Sequence, residues 1–244
     1  MVLTGGLGGL GTFTSVDVWD PLGQCQVQLP QLATGRYYHS SHYTYSDGQL
    51  LLCGVKVTGV TSCSHWVNGT FQHHSQPLEE RSEHVGVTMG DHIYLAGGAW
   101  GKYRNVKSSM EILSGGKTWA RGADMQQGRH RACGVATSNT TFIVIGGAGA
   151  GGHVLSSVEE FNTVTGTWRN RAAMPGGGRV SPKCANIGGD ILVAGGHDDF
   201  DYLDSALLYR VDTNTWRTAA KMNQKKWFGE MVVVNGRILY LGGK

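Results

Sequence analysis

Short aliphatic segments that end in glycine recur along this chain at a nearly constant interval. They read VLTGG at 2–6, LLLCGV at 50–55, IYLAGG at 93–98, FIVIGG at 142–147, ILVAGG at 191–196 and ILYLGG at 238–243. The last glycine of each copy stands at 6, 54, 98, 147, 196 or 243, so successive copies lie 44 to 49 residues apart. No window of about 12 residues sustains a 3.6-residue period, so the pattern predicts strands rather than helices.

Other positions keep the same interval. A serine and an apolar residue four positions later follow each glycine segment, as in Ser108 to Ile112 and Ser157 to Phe161. A basic residue precedes the last glycine of the next segment by 17 or 18 positions, at Arg36, Arg81, Arg129, Arg179 and Lys226. Turn sequences such as SDGQ and VNGR lie between the two and are typical of tight hairpins. Each repeat therefore predicts four short strands, and four-stranded units at this spacing indicate a β-propeller.

This combination resembles the kelch repeat family, whose signature is a glycine pair, then an aromatic residue, then a tryptophan about seven positions later. The resemblance covers the whole chain, and it departs from the signature at Cys53-Gly54, Ile112 and Gln26. It implies an all-β propeller in one domain, 1–244, with repeat units of approximately 1–54, 55–98, 99–147, 148–196 and 197–244. Because the sequence starts and ends inside blades, we expect an incomplete six-bladed ring, with closure into five blades as the rival arrangement.

Two residue types are predicted to build the repeat. Glycine at a strand end permits positive φ and a close approach between blades, while a large ring packed between blades dominates the core energy. The structural residues expected from this are Gly5, Gly6, Gly97, Gly98, Gly146, Gly147, Gly195, Gly196, Gly242, Gly243, Trp119, Trp168 and Trp216.

The opening glycines, Gly6, Gly8 and Gly11, also match the G-x-G-x-x-G string of dinucleotide-binding folds. That fold needs a helix after the glycines and an acidic residue about 20 positions later. Strand-forming residues follow instead, and no Asp or Glu occurs from 21 to 46. The sequence therefore predicts no nucleotide cofactor, and the histidines, including His39 and His42, are interpreted as half-exposed strand residues.

Net charge, hydrophobicity and cysteine content restrict the functions and locations that we expect for this protein. A net charge of +3 with interspersed signs gives no nucleic-acid footprint, and no apolar run approaches the ~18 residues of a membrane helix. Cys53 and Cys63 are a candidate disulfide, whereas Cys133 and Cys184 are interpreted as buried small hydrophobes. The odd count of five cysteines favours a cytoplasmic location, while sequons at Asn68 and Asn139 favour secretion.

A partner-binding face is expected where the loops between second and third strands meet the starts of the first strands. Loops on a rigid scaffold usually carry recognition, and arginine with aromatic residues usually anchors interfaces. A ring of guanidinium groups suits an acidic peptide, although each repeated arginine could instead be structural and bond loop carbonyls. The predicted contact residues are Arg36, Arg81, Trp100, Tyr103, Arg129, Arg131, Arg179, Phe200, Tyr202 and Lys226.

The expected function is thus a non-catalytic protein-interaction module with no metal or other cofactor. The resemblance implies substrate recognition for a ubiquitin ligase, in a BTB and cullin-3 type adaptor context within a longer chain. A secreted or cell-surface kelch propeller is the first alternative. A galactose-oxidase-like enzyme is the second, because such an enzyme shares the propeller and needs tyrosines, histidines and a cysteine that this chain also contains.

Overall fold

The computed structural model describes residues 2–8, 11–19, 26–29, 36–44, 48–56, 59–101, 105–115, 118–234 and 236–241, with the backbone alone up to residue 37 and at 241. The described elements are twenty-three strands and one short 3-10 turn, Ala150–Gly152. Among the described residues, no helix has the length and apolar character that crossing a membrane requires. The absence of longer helices from the described residues agrees with the sequence pattern.

The strands form six separate main sheets, which we number as blades in chain order. Blade 1 has three strands: β1 (Val2–Gly8), β2 (Gly11–Trp19) and β3 (Gln26–Leu29). Blade 2 has four: β4 (Arg36–Tyr43), β5 (Leu50–Lys56), β6 (Thr61–Val67) and β7 (Thr70–Ser75). In both blades the strands pair antiparallel in chain order.

Blade 3 also has four strands but carries a small extra hairpin in its middle loop. Its elements in chain order are β8 (Val85–Met89), β9 (His92–Ala96), the hairpin β10 (Ala99–Trp100) and β11 (Asn105–Val106), then β12 (Met110–Ser114) and β13 (Thr118–Arg121). The sheet itself runs β8, β9, β12, β13.

Blades 4 and 5 repeat the same four-stranded meander, and blade 6 contains two described strands. Blade 4 consists of β14 (Cys133–Ala136), β15 (Thr141–Ile145), β16 (Val158–Asn162) and β17 (Thr167–Arg171). Blade 5 consists of β18 (Lys183–Ile187), β19 (Asp190–Ala194), β20 (Ala206–Arg210) and β21 (Thr215–Thr218). Blade 6 consists of β22 (Glu230–Val234) and β23 (Arg237–Leu241).

The blades are arranged side by side through their first strands. β4 lies beside β8, β8 beside β14, β14 beside β18, and β18 beside β22. The five-blade closure would join β22 and β23 to blade 1 in one sheet. Among the described strands, blades 1 and 6 are instead separate sheets.

The core lies between the blades, because one face of each sheet packs on its neighbour. Tyr94 of blade 3 contacts Phe142 of blade 4, with ring centroids 5.2 Å apart. Phe142 meets Trp168 edge to face at 5.4 Å, and Phe161 lies 5.0 Å from the same indole. Trp168 also donates its Nε1 hydrogen to the carbonyl of Ala123 in the preceding connector, at 2.8 Å. The aromatic packing expected at this position is therefore present.

The register corrects one repeat position. Phe161 lies opposite Trp168, and the residue that lies opposite Trp119 in blade 3 is Leu113. The repeat spacing predicts Ile112 at that place, but Ile112 pairs with Ala120. The longer loop that contains the β10–β11 hairpin shifts the alignment by one residue, and a single-residue shift moves every side chain to the other face of the sheet.

Candidate protein-binding face

The antiparallel meander gives the molecule two distinct ends. Turns between first and second strands, and between third and fourth strands, lie at one end, which we call the turn face. Loops between second and third strands lie at the opposite end, together with the connectors that lead to the next blade, and we call this the loop face. On the loop face are the segments 76–84, 97–101, 105–109, 122–132, 146–157, 172–182, 195–205 and 219–229.

In blades 3 to 5, a pair of glycines follows the second strand directly, at its loop-face end. The pairs have positive φ, for example 68° at Gly146 and 92° at Gly147. A Cβ on Gly147 would stand 2.5 Å from the carbonyl oxygen of His130. The predicted reasons for these glycines, positive φ and close approach, both hold at Gly97, Gly98, Gly146, Gly147, Gly195 and Gly196. Gly242 and Gly243 lie outside the described residues, and Gly5 and Gly6 lie within β1.

The repeated arginines fasten these loops from inside. Arg129 is 1% exposed. Its Nη1 donates to the carbonyls of Gly146 and Ser157 at 2.9 and 3.0 Å. Its Nη2 donates to Glu159 at 2.6 Å. Arg81 is fully buried and makes the same set of contacts with Gly97, Ser109 and Glu111.

The two buried glutamates serve a second purpose. Glu159 accepts the backbone N–H groups of Gln126 and Gln127 at 2.7 and 3.1 Å, so it ties the preceding connector to blade 4. Burial lowers the pKa of Arg129, and the hydrogen bond and charge of Glu159 oppose that shift. The side chains of Arg129 and Glu159, which are 0% and 1% exposed, form a structural clamp that is closed off from solvent.

Arg179 forms a variant of the clamp. It is 6% exposed and donates to the carbonyls of Gly195 and Ser205 at 3.1 and 2.8 Å. Leu207 stands where blades 3 and 4 have their buried glutamate, and Asp198 is the acidic group that opposes the burial-lowered pKa of Arg179.

The expectation that these arginines form an accessible ring is therefore wrong for Arg81, Arg129 and Arg179. Their guanidinium groups lie inside the loops and cannot reach a partner. Only the alternative, in which each repeated arginine bonds loop carbonyls, describes these three. The side chain of Arg36 and all of Tyr103 lie outside the described residues, whereas Trp100 and Lys226 are half-buried.

A set of residues lies on the loop face where the first strands of the blades begin, and we call this place the channel mouth. Sequence reasoning had missed all of them except Arg131. Non-glycine residues with φ of 51° to 58° occur two positions after each basic repeat residue: Tyr38, Glu83, Arg131, Ser181 and Phe228. Ser181 donates its N–H to the carbonyl of Arg131 at 2.8 Å, and Arg131 donates its N–H to that of Glu83 at 2.9 Å. Left-handed backbone costs about 1–2 kcal/mol per non-glycine residue, and these two bonds between blades hold Glu83, Arg131 and Ser181 in place against that cost. A fixed offset of two from the basic residue was the available sequence signal.

Arg131 is the arginine that does reach the mouth. Its Nη2 donates to Glu83 at 2.6 Å, and Glu83 also lies 2.6 Å from Nδ1 of His130. The guanidinium carbon lies 5.3 Å from the ring centroid of Phe228 and 5.8 Å from that of Tyr38. Cation–π contact within about 6 Å is favourable. The guanidinium group of Arg131 thus already forms a salt bridge with one carboxylate and cation–π contacts with two rings.

Aromatic side chains continue from this point across the loop face. Phe228 lies 4.2 Å from Trp227, which stacks on Tyr202 at 4.8 Å and meets His197 at 5.7 Å. Phe200, on the same loop as Tyr202, is 95% exposed, and Tyr202 and Phe228 are 45% and 41% exposed. We call these residues the aromatic patch: His197, Phe200, Tyr202, Trp227 and Phe228.

Charges around the patch are largely paired with each other. Lys225 forms a salt bridge with Asp201, and Lys221 lies 3.5 Å from Asp204. Asp198 accepts the backbone N–H groups of Phe200 and Asp201, both at 2.8 Å, and these bonds lower the pKa of Asp198. The aspartate turn thereby fixes the backbone that presents Phe200.

An open cavity of about 340 Å³ adjoins the patch. His130, Arg131, Val180 and His197 are among its lining residues. A second cavity of about 370 Å³ lies between the loops of blades 3 and 4 and is lined in part by Val106, Gln127 and Leu155. Concave, partly apolar surface beside exposed aromatic groups is the geometry that receives a protruding side chain of a partner.

A separate polar cluster connects blades 2 and 3. Ser40 Oγ lies 2.7 Å from Nε2 of His42 and 3.0 Å from Nε2 of His84, while Nδ1 of His42 lies 2.9 Å from the hydroxyl of Thr88. Burial lowers the pKa of both imidazoles to about 3, so both are neutral at pH 7. His42 is 3% exposed, so its interpretation as a half-exposed strand histidine is wrong.

The four cysteines that the structure describes form two disulfide bonds. Cys53 and Cys63, direct partners across β5 and β6, are disulfide-bonded as hypothesised. Cys133 and Cys184 are also bonded and join β14 to β18, so their interpretation as unpaired hydrophobes is wrong. Among the described residues, no group of three or more His, Cys, Asp or Glu side chains is placed to hold a metal ion.

Comparison with known proteins agrees with this architecture. A family model described as the Kelch motif matches residues 129–175 and 178–223. The solved "Structure of YjhT" superposes with a TM-score of 0.83 at 15% identity, covering 99% of this chain and 90% of that one. At that identity the likeness concerns the fold.

Curated relatives share the repeats at modest identity. Kelch-like protein 24a of Danio rerio is 23% identical over 205 residues, covering 82% of this chain and 33% of the relative. Alpha-scruin of Limulus polyphemus is 26% identical over 195 residues, covering 71% of this chain and 21% of the relative. The chain thus spans a third or less of these relatives. Kelch motifs thus occupy residues 129–175 and 178–223 of this chain, and its glycine pairs, arginine clamps and four-stranded blades agree with that similarity.

Proposed function

We propose that this chain is a non-catalytic protein-interaction module that binds a segment of a partner protein on its loop face, through the aromatic patch at the channel mouth. The observation that carries the proposal is the exposure of Phe200, at 95%, next to Tyr202 and Phe228 on loops that the blades hold rigid. The similarity to Kelch-like proteins supports a protein partner in general.

The nature of the exposed groups sets the expected chemistry of the partner. Aromatic residues supply most anchors at protein interfaces, and Phe200 can lose nearly all of its exposed ring area on binding. Each buried Phe side chain is worth roughly 1.5–3 kcal/mol. Of the basic groups that were expected to select an acidic peptide, Arg81, Arg129 and Arg179 are buried, and Arg131 is paired with Glu83. We therefore expect apolar side chains of the partner to dominate binding, with acidic residues adding little.

A peptide library displayed on phage provides the test. Selected peptides are to be measured by fluorescence polarisation against the native protein and against Phe200→Ala, Tyr202→Ala and Val164→Ala. Val164 is the matched control, because it is 76% exposed in the β16–β17 turn on the turn face. We expect each aromatic substitution to weaken binding about tenfold or more, which corresponds to about 1.4 kcal/mol, and the control to leave it unchanged.

Two results would contradict the proposal. Peptides that bind equally well to all three variants would place the interface elsewhere. Peptides dominated by Asp and Glu, with affinity lost in Arg131→Ala but kept in Phe200→Ala, would restore the acidic-peptide hypothesis.

The cellular setting gives two candidate roles. Substrate recognition for a ubiquitin ligase is the role expected from kelch-like adaptors, and it requires a reducing cytoplasm. The secreted recognition module is favoured by a specific observation, the two disulfides of the described structure, because disulfides persist mainly in oxidising compartments. Capture of a cullin or a BTB protein with the full chain from the source tissue would decide for the adaptor.

A further inference from the structure

Two asparagines of the chain lie in acceptor sequences for N-linked glycans and on accessible turns. The sequences are Asn68-Gly69-Thr70 and Asn139-Thr140-Thr141, and neither has proline in the middle position. Asn68 is exposed at the tip of the β6–β7 hairpin, where its φ is 48° and that of Gly69 is 78°. A glycan needs such a protruding site, because it cannot be accommodated inside a sheet or between blades.

Asn139 occupies the turn between β14 and β15. Asn139 and its neighbours Ser138 and Thr140 are all exposed. The hydroxyl of Thr141 lies 2.7 Å from that of Ser138 and is the group that completes the acceptor sequence. The local backbone is held by Thr137 and Thr141, whose N–H and carbonyl bond at 2.9 Å, so the turn protrudes in a defined shape.

Both sites lie on the turn face. The β6–β7 turn joins third and fourth strands and the β14–β15 turn joins first and second strands, and the antiparallel meander brings these two kinds of turn to the same end of the blades. The loop face lies at the other end. Glycans on Asn68 and Asn139 would therefore leave the aromatic patch uncovered.

The disulfides are an independent indication of the same compartment. Cys53 and Cys63 are both fully buried and bonded within blade 2, and Cys133 and Cys184 connect blades 4 and 5. Each bond forms when two thiols lose two electrons and two protons to a disulfide-bearing oxidant by thiol–disulfide exchange. Such oxidants and N-glycosylation occur together in the secretory pathway.

We propose that this chain matures in an oxidising secretory compartment and carries N-linked glycans on Asn68 and Asn139. The sugar donor is a lipid-linked oligosaccharide diphosphate. The amide nitrogen of the asparagine forms a bond to C1 of the first sugar, the bond from C1 to the diphosphate oxygen breaks, the amide loses one proton, and the lipid diphosphate leaves.

The first experiment uses the protein from its source tissue. An immunoblot before and after peptide N-glycosidase F should show a loss of apparent mass, and mass spectrometry should find aspartate in place of Asn68 and Asn139. Non-reducing peptide mapping should recover the Cys53–Cys63 and Cys133–Cys184 linkages. Unchanged mobility together with alkylatable thiols at these four cysteines would overturn the proposal.

The second experiment assigns each glycan with matched variants of the full chain expressed in a secretory cell line. Thr70→Ala and Thr141→Ala destroy one acceptor sequence each, whereas Thr70→Ser and Thr140→Ala preserve them. We expect one fewer glycan in each of the first pair and two glycans in each of the second pair. Loss of no glycan in Thr70→Ala, or in Thr141→Ala, would overturn the assignment at that site. The binding assay on the loop face is unaffected by either outcome, so the two proposals fail separately.

Discussion

Substitution of Glu159 by glutamine tests whether the buried clamp holds blade 4 to its connector. Glu159 and Arg129 have side chains that are 1% and 0% exposed, with 2.6 Å between Oε1 and Nη2. Glutamine keeps the shape and one accepting oxygen for the N–H groups of Gln126 and Gln127, but it leaves the guanidinium buried without a counter-charge. Breaking one partner of a buried ion pair costs about 3–5 kcal/mol.

We expect a value near the lower end, about 3 kcal/mol, because Arg129 keeps its bonds to the carbonyls of Gly146 and Ser157. The double variant Arg129→Met with Glu159→Leu removes both charges. It also leaves the N–H groups of Gln126 and Gln127 without Glu159 and the carbonyls of Gly146 and Ser157 without Arg129, and each buried group left unsatisfied costs about 1–3 kcal/mol. The double variant is therefore predicted to be no more stable than Glu159→Gln alone.

Urea unfolding at pH 7, followed by tryptophan fluorescence, measures these free energies. Glu230→Gln is the control, because Glu230 lies 3.2 Å from Lys183 in an exposed pair, for which less than about 1 kcal/mol is expected. A cost below about 1 kcal/mol for Glu159→Gln, equal to that of the control, would refute the clamp as a stabilising element.

Three further predictions follow from the geometry. Trp168→Ala should lower the free energy of unfolding by about 3 kcal/mol, because the indole packs on two phenylalanines and is partly exposed; an unchanged urea midpoint would contradict this packing. Gly147→Ala should lower the free energy of unfolding by about 2–5 kcal/mol, because the residue has positive φ and its Cβ would contact the His130 carbonyl. Gly166→Ala is the control and should lower it by only about 1–2 kcal/mol, because Gly166 has a φ of 68° but open space around it. Equal losses of stability would contradict the close approach at Gly147. Burial lowers the pKa of His42 from 6.5 to about 3, so between these pH values only the unfolded chain binds the proton. The contribution of His42 to stability is therefore complete above pH 6.5 and decreases as the pH falls, by about 2 kcal/mol at pH 5. Urea unfolding from pH 8 to 4.5 should show a shallower decline in stability for His42→Gln, and an identical decline would exclude His42 as the titrating group.

Much of the architecture was predictable because the repeat is local. An aliphatic strand that ends in two glycines, such as Phe142–Gly147, carries its own strand and loop conformation, and a 3.6-residue period is missing throughout. The tryptophan positions were also readable, since Trp168 follows its glycine pair at the interval of the family. The register of blade 3 could not be predicted from the sequence, because the inserted β10–β11 hairpin changes the loop length without changing the sheet.

The candidate site was predicted only in part. Phe200 and Tyr202 were predicted as aromatic residues of a loop between second and third strands, and the structure exposes both. Trp227, Phe228 and Tyr38 were missed, because the first two lie in the last repeat and Tyr38 in the first, and they meet only at the channel mouth. Whether each arginine is buried or accessible depends on a partner that is distant in the sequence. Arg129 and Glu159, for example, are 30 positions apart.

The sequence alone thus determined the repeat length, the strand content and the need for glycine at each loop, because these follow from local backbone sterics and from alternation of apolar residues. The tertiary structure decided which basic residues are buried and which face solvent. The same residue type became a buried clamp in Arg81 and Arg129 and a cation at the channel mouth in Arg131. Burial and counter-charge are properties of the assembled blades, since a guanidinium group is desolvated only when a loop and a glutamate from other parts of the chain enclose it.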